Sequence, residues 1–133
     1  QEKQVIYDFF KKLFENPNEI EILGNGNQAR DFVFVDDVVN ALLSVSCNSN
    51  FEGEIYNVGT AEMITTRELA MKISSVMKLT PEYKYTGKTR MGDPEKWLAD
   101  ISKINNLGFS PQTTIDLGLE KVWAWLKSNF KKD

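Results

Sequence analysis

One arginine, Arg30, stands between a glycine-rich turn, Gly24-Asn25-Gly26-Asn27, and the apolar run Phe32-Val33-Phe34-Val35. A rigid guanidinium at the mouth of a buried element is well placed to hold an anion such as a phosphate. The same residues also fit a surface arginine paired with Asp31 or Asp37. Asp36-Asp37 could contribute to a carboxylate-only metal site, although adjacent carboxylates at a helix start more often cap it and complement its dipole. The chain has no histidine. That removes the commonest general base near neutral pH, the Ser-His-Asp and Cys-His arrangements and most zinc sites. Its one cysteine, Cys47, leaves no internal disulfide framework.

Two further spacings mimic cofactor chemistry. Residues 24–29, Gly-Asn-Gly-Asn-Gln-Ala, match the G-x-G-x-x-A dinucleotide pattern. That pattern needs a helix to begin there and face the pyrophosphate, whereas Arg30 and an apolar strand follow. The acidic residue expected about 20 positions on is replaced by a neutral stretch near Ser49. Tyr7 and Lys11 have the Tyr-x-x-x-Lys spacing of short-chain dehydrogenases. Such a lysine can lower a tyrosine's pKa beside a nicotinamide, but nothing next to this pair in sequence would hold one. Both spacings read as local structure, a turn and a helix face.

These residues need a scaffold, and the pattern supplies one. Val5, Ile6, Phe9, Phe10, Leu13 and Phe14 predict a helix over 5–15, ended by Asn16-Pro17. Only four residues precede it, which reads as a boundary inside a longer polypeptide. Ile20 and Ile22 predict a strand before the Gly24 turn. Residues 32–35, apolar on both faces, predict a strand buried on both sides. Asp36 is the expected N-cap of a helix carrying Val38, Val39, Leu42, Leu43 and Val45, with 44–53 a polar loop. Residues 54–58 read as another strand. Thr65 and Glu68 form a capping box for a helix burying Leu69, Ala70, Ile73, Val76 and Met77. Tyr83 and Tyr85 alternate in a strand over 82–86, and 87–96 is a polar loop. Asp100 caps a short helix closed by Gly108, and Thr114 caps a last helix lined by Ile115, Leu119, Val122, Trp123, Leu126 and Phe130. Strands and helices intermix, so the class is α/β, or mixed α+β.

The chain has 133 residues, 41% hydrophobic and 26% charged, enough for one packed domain or part of a larger protein. Net charge of −3 argues against general nucleic-acid binding. No apolar run approaches membrane-spanning length, so no membrane partner and a cytoplasmic location are expected.

The segment GNGNQARDFVFVDDVVNAL resembles the GxGxQxRDFxYVDDVVxA stretch of extended short-chain dehydrogenase/reductases, the NAD-dependent nucleotide-sugar epimerases and dehydratases. EIYNVGTAEMITTRELA and RMGDPEKWLADISKINNLGFSPQTTIDLGLEKVWAWL are similar to two later stretches of that family, in the same order. The resemblance covers nearly the whole chain. It implies the C-terminal, substrate-binding part of a Rossmann-type epimerase/dehydratase, spanning 1–133. The half carrying the NAD loop, a catalytic Ser/Thr and the true Tyr-x-x-x-Lys would lie upstream. NAD would then belong to the longer enzyme and not to this segment, which by itself would lack catalytic residues. The implied activity is epimerisation of the UDP-glucose 4-epimerase kind. A 4,6-dehydratase or a non-catalytic interaction module of the same fold are the alternatives.

Residue by residue, the resemblance makes Arg30 and Arg90 the two grips on the substrate diphosphate and Asp93 an acceptor for ribose hydroxyls. Phe32 and Asn57 would sit near the nucleotide. Core packing suits Phe32 equally, and a turn before Pro94 suits Asp93. Leu23 departs from a common tyrosine near the base, Ala61 from the second glycine of Gly-Thr-Gly, and Phe34 from a tyrosine or histidine. The base therefore stays open among UDP, dTDP, GDP and CDP. The resemblance also implies a homodimer for the longer enzyme. Without the NAD-binding half, Val38, Val39, Leu42 and Val45 are expected to be under-covered and to promote self-association.

Overall fold

The computed structural model describes residues 4–88, 92 and 94–130. Helix α1, Val5–Glu15, follows the apolar spacing and buries Phe9, Phe10 and Leu13. Strand β1, Glu19–Ile22, turns Ile20 and Ile22 into the same core. After the glycine turn come β2, Ala29–Arg30, and helix α2, Val35–Asn48. Strand β3, Ile64–Thr65, runs straight into α3, Thr66–Met77, and the expected capping box is present in full. Strand β4, Glu82–Tyr85, pairs in parallel with β1, Ile22 opposite Tyr85. Strand β5, Lys96–Trp97, the short helix α4, Ser102–Asn105, and the long helix α5, Ile115–Asn129, complete the order.

Two sheets result: the β1–β4 pair, and a three-stranded sheet in the order β3-β2-β5. The larger core joins α1, β1, α3 and α5 through Phe10, Ile22, Leu69, Ile73, Leu119 and Leu126. Phe10 stacks on Trp123 with ring centroids 5.5 Å apart. Each such fully buried side chain contributes about 1.5–3 kcal/mol. A second, smaller cluster of Ala41, Ile101, Ile104 and Phe109 binds α2 to α4.

The structure departs from the expected elements at several places, one of them α4, whose N-cap is Ile101 and not Asp100. Residues 32–35 are not a strand: β2 stops at Arg30, 31–34 run without ladder pairing, and α2 starts at Val35 with Phe34 at the cap. The run is not buried on both sides either: Phe32, Val33 and Phe34 are half-buried, Val35 is exposed, and the side chains divide between neighbours. Phe34 packs against Gly118 and beneath the Lys121 ammonium. Asp36 is accordingly not the N-cap but lies in the first turn of α2. The polar stretch from Ser44 does not end the helix, because Ser46 Oγ and Asn48 Nδ2 bond back to the Leu43 and Ser44 carbonyls of the preceding turn. Residues 54–58 form no ladder either. Asn57 Nδ2 donates to the Asp100 carbonyl and Lys103 Nζ to that of Ile55, so side chains take the place of strand partners. Among the described residues, no helix is long and apolar enough to cross a membrane.

Candidate functional site

Arg30 is the last residue of the middle strand of the β3-β2-β5 sheet. It pairs with Ile64 on one side and Trp97 on the other. The Ala29 amide donates to the Glu95 carbonyl at 2.8 Å and the Asp31 amide to that of Trp97 at 3.1 Å. The Arg30 backbone is thus fixed from both edges. Its half-buried side chain bends back, Nη1 donating to the carbonyls of Ala29 at 2.8 Å and Glu95 at 3.4 Å.

The polar loop over 87–96 is tied to the same segment at both described ends. At one end the Gly24 amide donates to Thr86 Oγ1 at 3.0 Å and the Gly87 amide to the Gly24 carbonyl at 2.9 Å. At the other, Glu95 meets Ala29. Arg90 and Asp93, the remaining strong candidates, lie outside the described residues. Register partners in a parallel pair present their side chains on one face of the sheet. Trp97, 64% exposed, is the register partner of Arg30 and so lies on the same face of the sheet. Sequence reasoning missed Trp97, because only the β2–β5 pairing brings it there.

Asp31 is the second residue missed, though it directly follows Arg30. Its carboxylate accepts from the Thr60 amide at 2.9 Å, the Thr60 hydroxyl at 2.5 Å and the Ala61 amide at 3.1 Å. The turn over 59–61 fits closely around it. A Cβ on Gly59 would lie 2.5 Å from Asp31 Oδ2 and 2.8 Å from the Ala99 Cβ. Ala61, where the resemblance led one to look for glycine, holds a left-handed φ of 59°.

The other candidates lie elsewhere. Phe32 packs against the larger core and lines an open groove of about 420 Å³ with Ile64, Thr113 and Ile115. Asn57 is exposed and bonds to Asp100 at 3.3 Å. Asp37 is 1% exposed and accepts from the amides of Gln112 at 3.0 Å and Thr113 at 2.9 Å, which ties α2 to the approach to α5. Burial alone would raise its pKa. The two amides, the Thr113 side chain and nearby Lys121 outweigh that and hold the carboxyl below its ordinary value. Asp36 pairs with Lys121 at 3.3 Å. Both carboxylates thus have structural partners, and no group of three or more metal-ligating side chains lies together among the described residues.

The glycine pattern at 24–29 does not fit a dinucleotide. Gly24 and Gly26 have φ of 76° and 82°, but the chain continues into β2, so no helix end faces a pyrophosphate. The space a Cβ would need is taken by Gln28 at Gly24 and by Tyr85 at Gly26. The glycines make room for the protein's own side chains. Tyr7 packs on Phe130 and Lys11 pairs with Glu15, ordinary contacts of a helix.

The profile of the NAD-dependent epimerase/dehydratase family matches residues 1–59. A Methanocaldococcus jannaschii protein, provisionally described as a UDP-glucose 4-epimerase, is 36% identical over 96% of this chain and 40% of its own length. The dTDP-D-glucose 4,6-dehydratase of Mus musculus is 29% identical over 91% of this chain and 36% of its own. Among solved structures, the UDP-glucose 4-epimerase of Thermotoga maritima, crystallised with UDP-glucose, superposes with a TM-score of 0.84 at 28% identity. It covers 98% of this chain and 41% of that one. These define the class, a mixed α/β fold shared with solved epimerase structures. The chain belongs to the NAD-dependent epimerase/dehydratase family, and it spans about two fifths of the length of the relatives it matches.

Proposed function

We propose that residues 1–133 are the nucleotide-sugar-binding part of an NAD-dependent epimerase similar to the UDP-glucose 4-epimerases, with Arg30 gripping the substrate diphosphate. The observation that carries this reading is the placement of Arg30 on a strand fixed from both edges, with the exposed Trp97 as its register partner. Arg90 is the second diphosphate contact and Asp93 the ribose acceptor. Phe32 and Asn57 have outlying roles in shaping the nucleotide end. NAD and the hydride chemistry are assigned to the remaining length that the relatives possess. Charge-assisted hydrogen bonds from a guanidinium contribute about 1.5–3 kcal/mol each.

Calorimetric titration with UDP, dTDP, GDP and CDP tests this. One diphosphate is expected to bind, and Arg30→Ala to weaken it at least about tenfold, equivalent to about 1.4 kcal/mol. Heat from none of the four, or an unaltered affinity in Arg30→Ala, refutes the assignment.

The murine relative supports a 4,6-dehydratase as the alternative chemistry for the longer enzyme. A second reading, an interaction module, is favoured by a separate observation: of the residues expected to be under-covered, Val39 and Leu42 are exposed, together with Val35 and Leu43, whereas Val38 is half-buried and Val45 packs against the Ala41 cluster. Sedimentation across a concentration series tests it, with self-association expected and a clean monomer at every concentration counting against it.

A further inference from the structure

We infer that Asp31 is a positioning residue for the Arg30 grip. The inference rests on the reading of Arg30 as a diphosphate contact and deepens it. Three separate stretches meet at this one residue: the end of β2, the turn over 59–61, bonded to its carboxylate, and β5, bonded to its amide. The first carries Arg30 and the third carries Trp97. The second is held by three donors on the Asp31 oxygens, two from Thr60 and one from Ala61. Gly59 packs so closely that its absent Cβ would collide with both Asp31 and Ala99. The Asp31 amide in turn donates to the Trp97 carbonyl.

Asp31 therefore bonds through its main chain to β5 and through its side chain to the turn, immediately after the residue whose guanidinium must be aimed. Arginine loses several torsional freedoms on binding an anion, and a fixed backbone lowers that entropic cost. Replacing the carboxylate with an amide leaves one acceptor where two oxygens received three donors. The turn then loosens, and the end of β2 loosens with it. Asp31 touches no ligand in this account and acts through Arg30.

A double-mutant cycle on the full chain reads this out, with UDP, dTDP, GDP and CDP titrated in parallel. Asp31→Asn is expected to weaken the binding diphosphate about five- to tenfold in the wild-type background but less than about twofold in an Arg30→Ala background. Leu13→Val, a core substitution in α1 outside the β3-β2-β5 sheet, controls for lost stability and should leave affinity unchanged. If Asp31→Asn does not fold, Thr60→Val removes one of the three donors and should give the same background-dependent loss at about two- to threefold. An equal loss in both backgrounds, or no loss, overturns the positioning role while leaving the Arg30 assignment standing. Failure of the wild-type chain to bind any of the four removes both.

Discussion

Helices α1 and α2 are close in length but opposite in organisation. α1 turns Phe9, Phe10 and Leu13 inward and shows Lys11 and Glu15 to solvent. α2 buries an aspartate and an alanine, Asp37 and Ala41, and shows Val35, Val39, Leu42 and Leu43 outward. The first arrangement is that of a helix whose apolar face is satisfied by its own domain. The second is a helix with apolar surface to spare, anchored on its inner side by polar bonds and small-residue packing. The difference teaches that hydrophobic spacing states how much apolar surface a helix has, not which side of it the present chain covers.

Substitutions can break or sharpen this contrast. The largest effect is expected from Phe10→Ala, which should cost about 3–5 kcal/mol of unfolding free energy in a denaturant titration. Leu42→Ala, the same kind of truncation on the exposed side of α2, should change it by less than about 0.5 kcal/mol. Equal losses would erase the distinction between the helices. Asp37→Ala comes next, at about 1–2 kcal/mol, because the part-buried amides of Gln112 and Thr113 lose their acceptor.

The Asp37 carboxyl also gives a pH signature. Its folded pKa lies below the ordinary 3.8, so its stabilisation is complete above the unfolded value and is lost as pH falls through the lower folded value. Acid titration of stability should therefore be flatter in Asp37→Asn than in the wild type below about pH 4. Leu42→Lys should abolish concentration-dependent self-association in sedimentation while leaving the melting temperature nearly unmoved. A small gain is expected at Ala61, where glycine relieves a left-handed φ. Ala61→Gly should stabilise the fold by about 0.5–1 kcal/mol, measured by the denaturant midpoint.

What could be read from the sequence was what nearby residues decide. α1, the Thr65 capping box, the β4 alternation and the Thr114 cap of α5 are written in spacing and cap chemistry over a few positions. The strand expected over 32–35 failed because apolar composition specifies neither ladder partners nor cover on both faces, and Val35 is left exposed. β3 and β5 were invisible because two-residue strands exist only through partners far away in the chain. At the site, Arg30 was legible as a residue type beside a turn. The contacts of Asp31 and Trp97 were not, since they arise from pairings between β2, β5 and the turn over 59–61.

The β3-β2-β5 sheet is made of three two-residue strands drawn from the first, middle and last parts of the chain. Loops of that length must close before the pairs form, and such closure is slow beside the growth of a helix. During synthesis, Arg30 leaves the ribosome long before Trp97 exists to lie alongside it. The surroundings of Arg30 are therefore completed late in the nascent polypeptide, only after α1, α2 and α3 have had time to coil.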